Sequence, residues 1–197
     1  MIVQPDGPVI LASASPRRKE LLEELGLKFK IIPPHIDESL LEMESPIAYV
    51  CRLAEEKGQF IAKKYPDSIV ISADTIVIYH DHILGKPVDE TDAFRMLKML
   101  SGNTHEVITA YSILLENESL LITKYERTEV NFRKLGDEEI QNYIAGGSPM
   151  DKAGAYGIQD LNTKLVESIN GCFYNVIGFP VTQFKKVWDR LFVNGNR

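Results

Sequence analysis

Only two cysteines occur in 197 residues, Cys51 and Cys172, and neither has a second thiol near it in sequence. That excludes a disulfide framework and a thiolate metal cluster, and it leaves two free, partly buried thiols as the expectation. Long apolar runs are also missing. None approaches the roughly 20 residues of a membrane helix, and the first basic side chain is Arg17, so neither a secretory leader nor a membrane span is expected and a cytoplasmic location follows. Positive charge is in deficit, with 22 Lys and Arg against 28 Asp and Glu and a net charge of -6. A general nucleic-acid coat needs clustered cations to displace counterions, so that class is excluded and any handling of phosphate must be local. There is no Walker sequence, no G-x-G-x-x-G, no internal repeat, no linker and no low-complexity segment.

What is present is ordinary globular composition, 44% hydrophobic and 25% charged, enough for one large domain or two small lobes sharing a core. Val9 to Ser13 reads as a short strand feeding a helix. Ser15 is its N-cap, Pro16 suits the first helical position, and Gly26 supplies the stop. Lys28 to Ile32 alternates as a strand, ending at Pro33-Pro34. Ser45-Pro46 repeats the cap-plus-proline start for a helix toward Tyr65. Ser68 to Tyr79 is a β-branched strand interrupted by one acid, Asp74. A helix is expected from about Asp92 to Ser101, then long paired strands over Thr104 to Leu115 and Ser119 to Arg133, then a helix from Asp137 to Gly146-Gly147. Asn170-Gly171 predicts a hairpin between Leu165 to Ile169 and Cys172 to Ile177. A closing helix begins at Pro180, and Trp188 on it is expected in the core. Interleaved helices and strands with an antiparallel middle hairpin predict a mixed sheet in an α/β fold.

Arg17 and Arg18 fall in the first helical turn, where free N–H groups already carry partial positive charge. Either they are solvated and paired with Glu20 or Glu24, or an anion sits there, gripped by the cap N–H groups, the hydroxyls of Ser13 and Ser15 and two guanidiniums. A lone carboxylate inside an apolar strand must pair, bind a metal or change its protonation, so Asp74 is either a satisfied structural acid or a functional one. Asp37 and Glu38 follow a proline break and suit a hard divalent cation if the fold brings them near Asp74. Lys57, expected on the polar side of its helix, and Lys86, in a Gly-Lys-Pro turn, could each reach a polyphosphate. The run Asp151 to Gln159 carries small residues and two glycines that let backbone approach a ligand, with the Gln159 amide offering a donor and an acceptor, though a core-packing turn would look similar. His80 and His82 flank a turn without a third ligand, so no zinc site is expected.

The blocks ASASPRRKELLEELGL, IDES, RLAEEKG, SADTIVI, LGKP, LSGNTHEV, DKAGAYGIQ and INGCFYNVIGFP occur in that order from Ser13 to Pro180. Together they resemble the Maf family of nucleoside triphosphate pyrophosphatases, and most of all its dTTP/UTP branch. The resemblance implies one domain over residues 1–197, an inosine triphosphate pyrophosphatase-like α/β unit with a curved mixed sheet flanked by helices and two lobes around a cleft, often dimeric. It puts the phosphate-binding motif on Ser13 to Arg18 and the proton acceptor on Asp74. It puts the metal-associated acid on Glu38, phosphate-contacting lysines on Lys57 and Lys86, and base selectivity on Arg17, Thr75 and Gln159. Asp160 and Leu161-Asn162-Thr163 depart from the glycines expected after that block, which concerns the rim of the base pocket.

The expected chemistry is hydrolysis between the α and β phosphates, with magnesium or manganese held by Glu38 and Asp74 and with Lys86 among the catalytic cations. An aspartyl-phosphate route is disfavoured because Ile76 stands two residues after Asp74. The alternative is a nucleotide-binding regulator of septum formation without essential catalysis. Retention of Asp74 and Glu38 beside the basic set argues against it.

Overall fold

The computed structural model describes residues 2–147, 149–159 and 164–192. Within them a seven-stranded sheet is formed by β1 (Val9–Ala12), β2 (Lys30–Ile31), β3 (Ile69–Tyr79), β4 (His82–Leu84), β5 (Thr104–Leu115), β6 (Leu120–Phe132) and β7 (Val166–Asn170). Its order is β2-β1-β3-β5-β6-β7, with β4 paired on β3. β1 runs parallel to β2 and β3, whereas β3/β4 and β6/β7 are antiparallel, so the expected mixed sheet is present. The helices are α1 (Pro16–Glu24), α2 (Pro46–Ala62), α3 (Glu90–Leu100), α4 (Asp137–Ala145), α5 (Phe173–Ile177) and α6 (Val181–Phe192). No helix among the described residues is long and apolar enough to cross a membrane.

By contacts the chain divides into two compact units. One comprises Met1–Asp74, Thr109–Glu126 and Gly178–Arg197, the other Thr75–Ile108 and Arg127–Ile177. The first unit is built from crossovers. α1 links β1 to β2 and α2 links β2 to β3, the right length of connection for parallel neighbours. Ser15 and Ser45 cap α1 and α2, each accepting from the N–H three residues on and each followed by proline. Ile10, Ala12 and Val70 of the strands pack with Ile61, Ala62 and Leu114. A row of rings, Tyr111, Phe179, Phe184, Trp188 and Phe192, fills the rest at centroid spacings of 4.5 to 5.7 Å. Trp188 is fully buried, as expected, and its indole N–H reaches Val3 O at 2.8 Å.

The second unit packs Ala93, Met96, Leu97 and Leu100 of α3 and Ile140, Tyr143 and Ile144 of α4 with Val77, Val107, Val130 and Phe132. One expectation fails here. Cys172 to Ile177 is not the returning strand of a hairpin but a turn into α5. Gly171, at φ +135°, turns the chain away beside Thr128. The Thr128 hydroxyl accepts from the Cys172 N–H at 3.0 Å and donates to its carbonyl at 3.2 Å. Asn175, fully buried, donates to Val107 O and to the same hydroxyl, both at 2.9 Å. The Phe173 and Tyr174 side chains suggest a strand, but satisfying a buried amide decides the conformation. β4 was not foreseen either, being three residues after a turn in which His80 takes a positive φ.

The contact that positions the candidate site is α2 against β3. Ser72 and Asp74 lie two apart on β3 and so share a face. Ser72 Oγ donates to Ala54 O at 2.6 Å. Gly58 removes the obstacle between them, since a Cβ there would lie 2.7 Å from Ser72 Oγ and closer still to Leu114 Cδ1. Gly58→Val should therefore lower stability by roughly 2 to 3 kcal/mol, because overpacking here exceeds any gain in helix propensity. Urea denaturation should show the loss as a lower midpoint at unchanged m-value.

Candidate active site

The α2–β3 contact carries Lys57 inward. The sequence suggests the polar side of the helix for this residue, but it lies on the sheet side among Leu53, Ala54, Gly58 and Ile61 and is only 8% exposed. Its ammonium meets Asp74 Oδ1 at 2.6 Å and Glu38 Oε1 at 3.0 Å. Asp74 is also 8% exposed, whereas Glu38 reaches in from an exposed segment. Burying Asp74 alone would be costly, and Lys57 is its neutralising partner. Two carboxylates drawn to one cation make a hard-oxygen pair. Their chemistry fits a divalent ion of the magnesium type, which takes one or two carboxylates and completes its shell with phosphate and water. Among the described residues no three His, Cys, Asp or Glu side chains gather at a metal-binding distance.

The turn between β1 and α1 supplies the second part. Ser13 Oγ accepts from the Ser15 N–H at 3.1 Å and from Arg18 Nη1 at 3.2 Å. Arg18 Nε donates to Gly178 O at 2.9 Å, just before α6, so the guanidinium is fixed from two sides. Burial pushes Arg18 below its usual range, with Asp74 opposing, Arg17 adding and Glu38 opposing. Those couplings put the arginine pair and the carboxylate pair in one electrostatic neighbourhood. No acid lies in the first turn of α1, so cap N–H groups and guanidiniums bring positive charge together at that helix end. The reading in which both arginines pair with Glu20 or Glu24 fails for Arg18, whose guanidinium turns to Gly178 and Ser13.

Ser13, Ser15, Arg17, Arg18, Glu38, Lys57 and Asp74 thus all belong to the first unit, while Thr75, Lys86 and Gln159 belong to the second. Lys86 and Gln159 are both exposed. The segments that bear them are joined, because the Gly154 N–H donates to Gly85 O at 3.0 Å. Gly154, at φ +68°, lies so close to Val77 that a Cβ would meet it at 3.0 Å. Further along, the Gly157 N–H donates to the Tyr143 hydroxyl at 3.1 Å, and the buried Tyr156 hydroxyl meets His105 Nε2 at 2.7 Å. Asp160 to Thr163 lie outside the described residues.

Residues 8–191 match the model of the family described as Maf-like protein. The chain belongs to the Maf family. This Maf protein is 50% identical over 183 residues to the dTTP/UTP pyrophosphatase of Geobacillus sp. (strain WCH70), covering 93% of this chain and 97% of that one. It is 46% identical to the dTTP/UTP pyrophosphatase of Koribacter versatilis (strain Ellin345), covering 92% and 93%. Among solved structures, a HAM1 protein from Coxiella burnetii aligns over 93% of this chain and 98% of that one, with a TM-score of 0.55 at 13% identity, and so shares the fold alone.

Three Maf residues went unread in the sequence, namely Tyr49 and Arg52 beside Glu38 in the first unit and His105 in the second. Arg52 offered a signal in Glu56 four residues on, and His105, between Thr104 and Glu106, offered none. His105 is 2% exposed between Phe132 and Tyr156, and burial pushes its imidazole down to about 3. An unfolded histidine titrates near 6.5, so the unfolded chain takes up the proton first, and stability should fall as pH drops from about 6.5 to about 3. At about 1.4 kcal/mol per unit the effect amounts to several kcal/mol. His105→Gln should be less stable at pH 7 but fall less steeply below pH 6.5. Parallel curves from chemical denaturation at several pH values would remove His105 from this role.

Proposed function

We propose that this Maf protein hydrolyses nucleoside triphosphates between the α and β phosphates, with dTTP and UTP preferred, releasing pyrophosphate and leaving the monophosphate. The observation that carries the reading is the meeting of Asp74 and Glu38 at Lys57 beside the Ser13–Arg18 turn. The names of relatives 46 to 50% identical over nearly the whole chain support it. A regulator that only binds nucleotide would not require a buried acid in such company, and the relatives' names do not favour that alternative.

In this reading Ser13, Ser15, Arg17 and Arg18 hold phosphate oxygens, with Lys57 and Lys86 supplying further positive charge where negative charge develops. Asp74 accepts a proton from the attacking water. In the resting protein Asp74 is paired with Lys57, so sharing the ammonium with a phosphate oxygen is what makes the carboxylate available. A divalent cation such as Mg2+ or Mn2+, bound by Glu38 and Asp74, would neutralise charge on the reacting phosphate. The Gln159 amide accepts from the N3–H of uracil or thymine and donates to a neighbouring carbonyl, with Thr75 and Arg17 the other residues assigned to base selectivity. A single domain, a cytoplasmic location and a homodimer belong to the same reading.

Incubation with dTTP, UTP, CTP, GTP and ATP, with pyrophosphate separated from orthophosphate, should yield pyrophosphate and favour the first two. Orthophosphate as the primary product would overturn the assignment. Asp74→Asn should fold and lose turnover on the order of 100-fold, and near-normal turnover would move the base elsewhere. Gln159→Glu should alter the ranking of bases by kcat/KM, and an unchanged ranking would remove Gln159 from base readout.

A further inference from the structure

Glu38 stands on a segment that hydrophobic burial does not hold. Leu40 and Leu41 are more than half exposed, and Met43, at φ 60°, is 97% exposed. Among the described residues, the hydrogen bonds and ion pairs of this stretch lead to α2 or back into itself. Asp37 Oδ1 accepts from the Ser39 N–H at 2.9 Å and from its hydroxyl at 2.6 Å, closing a tight local turn around Glu38. The Tyr49 hydroxyl donates to the Glu38 carbonyl at 2.7 Å. Arg52 Nη2 donates to the Ser39 carbonyl at 3.0 Å. The same guanidinium grips Glu44 with Nε on Oε1 at 2.7 Å and Nη2 on Oε2 at 2.8 Å, and Nη1 reaches Glu56 at 3.1 Å. Arg52 also stacks 5.6 Å from the Tyr49 ring centroid. Two neighbouring carbonyls, at 38 and 39, are therefore tied to two side chains one helical turn apart on α2, and Lys57 lies further along that same helix.

We propose that Tyr49 and Arg52 are positioning residues that hold Glu38 against the Lys57–Asp74 pair, and so set the affinity of the two carboxylates for a divalent cation. This rests on the reading of Glu38 as a metal-holding acid. The bonds go to backbone carbonyls, so they fix where Glu38 starts from while leaving its carboxylate free to turn from the lysine ammonium to a cation. Removing partners that orient a metal ligand typically weakens binding by about 10- to 100-fold.

The test measures Mn2+ affinity of the full chain by electron paramagnetic resonance of free Mn2+, with no nucleotide present. Glu38→Gln, Tyr49→Phe and Arg52→Lys should each weaken binding by about 10-fold or more. Adding Tyr49→Phe to Glu38→Gln should add little, because the strap acts only through Glu38. Turnover lost in Tyr49→Phe should return as Mn2+ is raised, which a merely destabilised protein would not do. Mn2+ affinity within twofold of the parent in both strap variants would overturn the proposal, as would full additivity with Glu38→Gln. Parent-like affinity in Glu38→Gln would overturn it too. In that case continued release of pyrophosphate by the parent shows that the failure lies with Glu38 and not with the pyrophosphatase reading.

Discussion

A single ammonium in a nearly dry setting governs the first unit. Lys57 neutralises Asp74 inside an otherwise apolar strand, and the pair tolerates burial only because the two atoms approach to 2.6 Å. That approach needs a helix pressed close to a strand, which Gly58 permits and the Ser72 to Ala54 hydrogen bond holds. A buried ion pair is weak evidence of stability, since replacing it with well-packed apolar groups is often neutral or better. Its presence is more readily explained by chemistry. Asp74 lies at low exposure with the Lys57 ammonium already beside it, and in the proposed reaction phosphate oxygens would compete for that ammonium.

The cationic turn at α1 follows a similar logic. Ser13 and Ser15 are small hydroxyl residues that cap a helix and also orient Arg18, so one short sequence both starts the helix and fixes a guanidinium beside its first turn. Gly178 closes the arrangement from 160 residues away in the chain, by a carbonyl just ahead of α6. In the second unit the buried hydroxyls of Tyr143 and Tyr156 anchor the glycine-rich run that carries Gln159. The exposed glutamine thus follows a segment held by two buried hydroxyls, which suits the base readout proposed for it.

Most of the architecture was legible because it follows local rules. Serine-proline caps, β-branched runs and glycine stops mark α1, α2, β1 and β3 without tertiary information. The misread segment, Cys172 to Ile177, was decided by Thr128 and Val107, partners 44 and 68 residues away that no local pattern reveals. Of the candidate site, Asp74 was visible as an anomaly and the Ser13 to Arg18 turn as a charge in the wrong place. The inward direction of Lys57 was not visible, because a lysine beside two glutamates reads as a solvated face until Gly58 is seen as a contact. Tyr49 and Arg52 were hidden for a similar reason, since their partners are backbone carbonyls and carry no side-chain signature.

The outermost strand β2 has a consequence for how the molecule avoids its own copies. An unpaired strand edge is a template for another chain, and long flat apolar edges recruit one. β2 is only two residues long, begins with a lysine and runs within two positions into Pro33-Pro34, where the missing N–H groups end any further ladder. At high concentration this side of the sheet offers a second copy almost nothing to extend, so crowding should not convert the parallel β1/β2 margin into a nucleus for fibrous assembly.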